Sequence, residues 1–285
     1  MTESSERPAP SEGSRKRTPR AGRDLPAAIG VGAVLVGLLV VGLFFVPLVV
    51  VALAAVAAGV GTWEIGQSLN KKRKMRVPLI PAVATGAMFP FAAFYGGSES
   101  LVYAVLGSII VVILWRALGR RDGMLLSIMG SIFTMLWVPF MLALAVLLFR
   151  QDDGAARVFT IVLMAIGNDT WGYIAGVLWG KHPMAPRISP KKTWEGMAGS
   201  LIGSIVVGVL CAVLLLGEAW WVGVVLAVLL VIASTAGDLS ESMIKREIGI
   251  KDMSNILPGH GGVMDRLDSI VFAIAAGYVV FVALG

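Results

Sequence analysis

The chain has 285 residues, 57% of them apolar and only 15% charged, with a mean hydropathy of +0.83. A soluble domain averages about 45–50% apolar and about 25% charged residues, so the composition excludes one and indicates an integral membrane protein. The formal charge of +6 would suggest a nucleic-acid partner in a soluble protein. Basic residues collecting beside membrane spans account for it better here, and no nucleic acid is expected. One cysteine, Cys211, lies in an apolar run, which rules out a disulfide framework.

Residues 1–25, MTESSERPAPSEGSRKRTPRAGRDL, are rich in Ser, Pro and Arg and nearly devoid of apolar side chains. They cannot bury enough surface to fold, and we expect a disordered basic tail. From 26 to 285 the chain reads as one transmembrane catalytic domain. A spanning helix needs about 20 mostly apolar residues. About nine such runs occur, near 26–45, 46–69, 77–95, 100–116, 124–149, 158–179, 195–217, 219–237 and 267–285. The fold class is therefore all-α and polytopic. The first two runs join tightly at Val46-Pro47, and the seventh and eighth at GEAW, residues 217–220.

The lysines and arginines orient these spans. With the N-terminus inside, 22 of the 24 basic residues fall on the cytoplasmic side, and only Arg150 and Arg157 fall outside. The KKRKMR run at 71–76 is explained by this bias alone. Residues 238–266 then face the cytoplasm.

In the sixth run Asp169 follows Asn168 in mid-span, where a carboxylate costs about 2.5–3.5 kcal/mol. Such a residue either lines a polar cavity or hydrogen-bonds a neighbouring helix. Gly172, Gly176 and Gly180 recur every four residues, a spacing that lets another backbone approach and points to packing. In the following loop, Ser189-Pro190 has the form of an N-cap with proline at the first helical position. Its free amides, with Lys191, Lys192 and Arg187, would make an anion site, or the segment is a capped helix entering the membrane. His182 is given no role.

The stretch SESMIKREIGIKDMSNILPGHGGVMDRLD, residues 240–268, carries nine charged residues and one of the two histidines between long apolar runs. Asp238 ends the eighth run, and Asp265 and Asp268 open the ninth, so three carboxylates stand at one membrane face. Such hard oxygens suit Mg²⁺, which takes one or two carboxylates plus substrate phosphates. Lys245, Arg246, Lys251 and Arg266 supply charge for phosphates, which arginine can grip bidentately. The PGHGG turn, residues 258–262, lets backbone approach a ligand closely. Together these residues read as a site for a polyphosphate and a divalent metal at head-group depth.

The same stretch resembles the signature of the phosphatidate cytidylyltransferases, or CDP-diacylglycerol synthases. Ser242, Lys245, Arg246, Lys251, Asp252, Pro258, Gly259, His260, Gly261, Gly262, Asp265, Arg266 and Asp268 fall in register over 27 residues. ISPKKTWEG, from Ile188, is similar to a second family motif, and Asn168-Asp169 stands where members carry an intramembrane Asp. The resemblance covers roughly 160–285. DGAAR at 153–157 resembles the opening of a CDP-alcohol phosphotransferase motif, but it is one residue short and lacks the later aspartates.

The resemblance implies reaction of CTP with phosphatidic acid to give CDP-diacylglycerol and pyrophosphate, in the cell membrane, with the active site facing the cytoplasm. It implies a homodimer and Mg²⁺, as one ion or two, with Asp238 and Asp265 as ligands and Asp268 assisting. Lys245, Arg246, Lys251 and Arg266 would neutralise the triphosphate and leaving pyrophosphate. Ser189, Lys191 and Lys192 would hold either the lipid phosphate or part of the triphosphate. Asn168 and Asp169 would line the head-group cavity, Ser242 and Gly261 belong to the substrate-binding signature, and His260 orients a phosphate or serves the turn. The alternatives are a CTP-dependent lipid kinase, which would release CDP, and a transporter, which would need a polar path through the midplane.

Overall fold

The computed structural model describes residues 25–119, 122–256 and 261–284, with side chains described from Gly30 onward. The tail before Leu25 and His260, with Pro258 and Gly259, lie outside the described residues. The first helix, α1 (Leu25–Phe44), meets α2 (Pro47–Arg73) at a tight corner, with Pro47 at the first helical position. Gly42 makes room for that corner, since a β-carbon there would collide with Val50. The run of lysines and Arg73 closes α2, and Lys74 ends it in the left-handed conformation (φ 54°).

The next helix, α3 (Leu79–Leu118), is 40 residues long. A straight helix of that length would reach about 60 Å. Instead Arg76 Nη1 and Arg116 Nη2, one near each end, both donate to the carbonyl of Asp122 at 3.2 and 3.1 Å. The chain therefore doubles back, and it does so at Gly97, whose φ of 70° and ψ of −156° break the helix. Arg150 reaches this bend and donates to Ala93 O at 3.2 Å. Glycine is the residue that adopts such a backbone without strain.

A further crossing is built from α4 (Met124–Met135), a π-helical turn (Leu136–Phe140) and α5 (Met141–Phe149). Pro139 within the turn lacks the amide a regular helix would need, and the wider turn accommodates it. There follow α6 (Gly154–Trp179), the strands β1 (Pro183–Ala185) and β2 (Ser189–Thr193), and α7 (Trp194–Leu210), extended by a second π-helical turn (Cys211–Leu215). Last come α8 (Trp220–Ile248) and α9 (Met264–Leu284). The two strands pair antiparallel and make the only sheet among the described residues.

Among the described residues, seven helices are long and apolar enough to cross a membrane. The expected third and fourth runs both lie on α3, which is one of the seven, and the first lies on α1, a shorter apolar helix as described from Gly30. Large apolar side chains cover the outside, among them Ile80, Leu118 and Leu125. In the interior, Ile65, Phe89, Val138, Ile161, Leu226 and Met264 are fully or almost fully buried.

Small residues bring the second-half helices together. Gly172 lies against Ser200, and Gly176 against Thr193 and Gly196, so the four-residue glycine spacing serves the α6–α7 contact. A β-carbon at Gly237 would collide with the carbonyl oxygen of Asp268, which is how closely α8 crosses α9.

Candidate active site

The C-terminal half of α8 carries Asp238, Glu241, Ser242 and Lys245 at i, i+3, i+4 and i+7, a single helical stripe. Because α9 crosses at Gly237, the stripe faces the first turns of α9, where Asp265 and Asp268 stand. Two acid–lysine pairs result. At the end nearer the α8 N-terminus, Asp238 forms an ion pair with Lys192 of β2, and Ser242 Oγ donates to its other oxygen at 3.3 Å. At the far end, Lys245 Nζ lies 2.9 Å from Asp265 Oδ1 and 3.1 Å from Glu241 Oε2.

The first pair borders a cleft of about 270 Å³. Asn168, Asp169, Lys191, Lys192, Ser200 and Asp238 are among its walls. Asp169 is held on the cleft by Ser269 Oγ (3.0 Å) and Asn168 Nδ2 (3.1 Å). Ser200 Oγ donates to Asn168 O at 2.6 Å and ties α7 to α6 below it. Asp268 adjoins both Asp238 and Asp169, and it accepts from the Ser269 amide at 2.7 Å. Asp169 thus both lines a cleft and accepts a hydrogen bond from Ser269 of the neighbouring α9.

The second pair is closed. Asp265 accepts from Lys245, from the Met253 amide (3.0 Å) and from the Gly262 amide (2.8 Å). Gly261 turns beside it with φ 87°, a backbone that favours glycine. Glu241 is fully buried; its partners are Lys245, which reaches its Oε2, and the adjacent Asp268. Among the described residues no three His, Cys, Asp or Glu side chains are placed to hold one metal ion.

The expected helix start at Ser189-Pro190 is corrected. Ser189 and Pro190 lie in β2, and α7 begins at Trp194 with Thr193 as its cap. Thr193 Oγ1 accepts from the Gly196 amide at 3.1 Å. Glu195 reaches back to the Lys181 and His182 amides and the His182 ring, which closes the hairpin. The Thr-Trp-Glu-Gly order at 193–196 carried that cap signal. Lys191 and Lys192 thus reach the cleft from a strand rather than from a helix end.

Arg246, Lys251 and Arg266 are exposed and do not line the cleft, and Arg246 Nε lies 3.4 Å from Ile188 O, next to β2. Sequence reasoning missed Glu241, one charge among nine in its stretch, and Glu64, the lone acid of α2.

The fold and site define a polytopic α-helical membrane protein whose cleft opposes lysines to carboxylates at the ends of its spans. The model of the Cytidylyltransferase family matches residues 26–284. The chain is 38% identical over 293 residues to the phosphatidate cytidylyltransferase of Mycobacterium bovis, covering 96% of this chain and 95% of that protein. The Mycobacterium leprae phosphatidate cytidylyltransferase is also 38% identical, over 90% of this chain and 88% of its own length. That of Brucella abortus is 41% identical over 48% of this chain and 52% of its own. The chain belongs to the cytidylyltransferase family and is a nucleotidyltransferase.

Proposed function

We propose that the chain transfers the cytidylyl group of CTP to phosphatidic acid, giving CDP-diacylglycerol and pyrophosphate. The observation that carries this is the cleft in which Lys191 and Lys192 face Asp169 and Asp238. Its walls combine β2 with residues of the apolar helices α6, α7 and α8, so a lipid phosphate could reach it from the bilayer. A phosphate oxygen of the lipid, already ionised at neutral pH, forms a bond to the α-phosphorus of CTP. The bond from that phosphorus to the bridging oxygen breaks, and pyrophosphate leaves with the electron pair. No Ser, Cys or His nucleophile is needed, and catalysis of such a transfer is mostly positioning and charge neutralisation. Lys192 would leave Asp238 for a phosphate, while Lys191 and the exposed Arg246, Lys251 and Arg266 neutralise the rest.

Mg²⁺ is the metal this reading calls for. The acids give hard oxygens of the kind Mg²⁺ takes beside substrate phosphates. Asp238 and Asp265, with Asp268 assisting, would hold it. When bound, it neutralises charge building on the phosphates.

Orientation belongs to the same reading: the site faces the cytoplasm, in the cell membrane, and the working unit is a homodimer. The asymmetry of 22 basic residues against 2 supports the orientation. Cysteines introduced at the exposed positions Asp152 and Asp252 should label from opposite sides of the membrane. Labelling of both from one side would overturn it. The reaction is tested with purified protein, labelled CTP and phosphatidic acid, with and without Mg²⁺. We expect Mg²⁺-dependent CDP-lipid plus pyrophosphate. A phosphorylated lipid alcohol plus CDP would identify a lipid kinase instead.

A further inference from the structure

We infer that Glu64, on α2, is a positioning residue for the active site: it holds the start of α9 from the opposite half of the chain. Glu64 is 1% exposed and is the only acid on α2. A carboxylate inside a spanning helix is costly unless it is partnered. Its partners lie about 190–200 residues away, all in the charged stretch: the Ser254 hydroxyl, the Val263 amide (2.9 Å) and the Met264 amide (2.7 Å). Val263 and Met264 open α9, so Glu64 does the work of an N-cap without belonging to the helix. Its negative charge also sits at the positive end of the helix dipole.

The consequence concerns Asp265 and Arg266, the next residues along. Asp265 already takes the Met253 and Gly262 amides and Lys245. Glu64 takes the two amides that follow Gly262. The two carboxylates together fix both ends of the turn that contains Gly261 and Gly262. Gly262 lies between them: a β-carbon there would stand 2.8 and 3.0 Å from the Glu64 oxygens and 3.0 Å from Asp265 Oδ2. Only glycine allows both acids to close on that turn. Occupied in this way, the α9 N-terminus is not a phosphate site; it is an anchor that aims Asp265, Arg266 and Asp268.

The inference rests on the reading that Asp265 and Arg266 serve the CTP phosphates. Glu64→Gln keeps the size but puts an amide donor against one of two backbone donors. Turnover should fall about 10–100-fold, the range for groups that act through a ligand. The loss should appear in kcat and in the Mg²⁺ concentration for half-activation more than in the KM for phosphatidic acid. Exchange protection of the Val263 and Met264 amides should drop at the same time. Gly262→Ala, which keeps both acids and only pushes them apart, should reproduce these changes, and the double variant should be little worse than either single one. Wild-type kcat in Glu64→Gln with protection lost would reduce Glu64 to a structural clamp, and unchanged protection would remove even that. If the wild type made no CDP-lipid, the reaction reading would fall by itself, while the protection result would still decide whether Glu64 holds the turn.

Discussion

The two acid–lysine pairs of α8 stand seven residues, about 10 Å, apart on one stripe, yet they are built differently. Lys192 and Asp238 are each 27% exposed and border the cleft. Lys245 and Asp265 are 15% and 6% exposed and sit against a Glu241 that water does not reach. The open pair has little besides Ser242 to hold it, so a phosphate can displace the lysine and a cation can take its place. The closed pair is tied to two backbone amides as well, and exchanging its partners would loosen the hold of Asp265 on Met253 and Gly262. One end of the stripe exchanges partners freely, and at the other Asp265 could take a cation only by giving up Lys245 while keeping its two backbone amides.

The largest effects should come from the acids. Asp238→Asn and Asp265→Asn each keep size and remove a charge, and each should lower turnover by orders of magnitude. In the residual activity, the Mg²⁺ concentration for half-activation should rise for both. The double variant should lose far less than the product, because residues acting as a unit are non-additive. The comparison adds a split between them. Asp265→Asn should also lower the thermal midpoint, since it weakens two amide bonds and strands Lys245, whereas Asp238→Asn should leave the midpoint near wild type. Near-wild-type turnover and Mg²⁺ dependence in Asp265→Asn would remove it from the metal site.

A smaller loss is expected at the cleft lysines. Lys192→Met should raise an apparent KM or lower kcat about tenfold or more, the scale of one charge-assisted phosphate contact, without unfolding the protein. Lys191→Met should do less, because Lys191 lines the cleft without an acid partner at Asp238. Unchanged kinetics in the double substitution would reduce both lysines to topology. Below these comes Thr193→Ala, which removes the α7 cap and should cost about 1 kcal/mol of stability, read from thermal unfolding in detergent, with modest change in kcat.

Much of this was legible in the residues, for identifiable reasons. Hydropathy has one length scale in a membrane, so the spans stood out, and Asp265 and Asp268 do open α9, whereas Asp238, read as the end of its span, lies within α8, ten residues before Ile248. The return of α3 at Gly97 was visible only as two runs, because a single residue with φ 70° does not interrupt hydropathy. Ser189 was misplaced since Ser-Pro before lysines fits a cap as well as a strand, and the β1 pairing that decides between them is not local. Glu64 stayed hidden for a related reason. Its meaning lies in amides about 200 residues away, and nothing in α2 announces them. Contacts that are local in sequence could be read, and contacts made across the bundle could not.

The smallest effect is expected at Asp252, and it tests whether placement or mere charge matters in the 240–268 stretch. Asp252 belongs to the same signature as Asp265, thirteen positions earlier, and it carries the same charge. It is exposed, lies in the loop rather than at a helix end, and its neighbour Met253 gives its amide to Asp265. Removing an exposed charge removes little, since water screens it and releases no buried partner. Asp252→Asn should therefore keep turnover within a few-fold of wild type, with unchanged Mg²⁺ half-activation and thermal midpoint. A loss as large as that of Asp265→Asn would mean that the rim of the loop closes onto the phosphates during the reaction. The division into an exchanging end and a fixed end would then have to give way to a site that includes the whole loop.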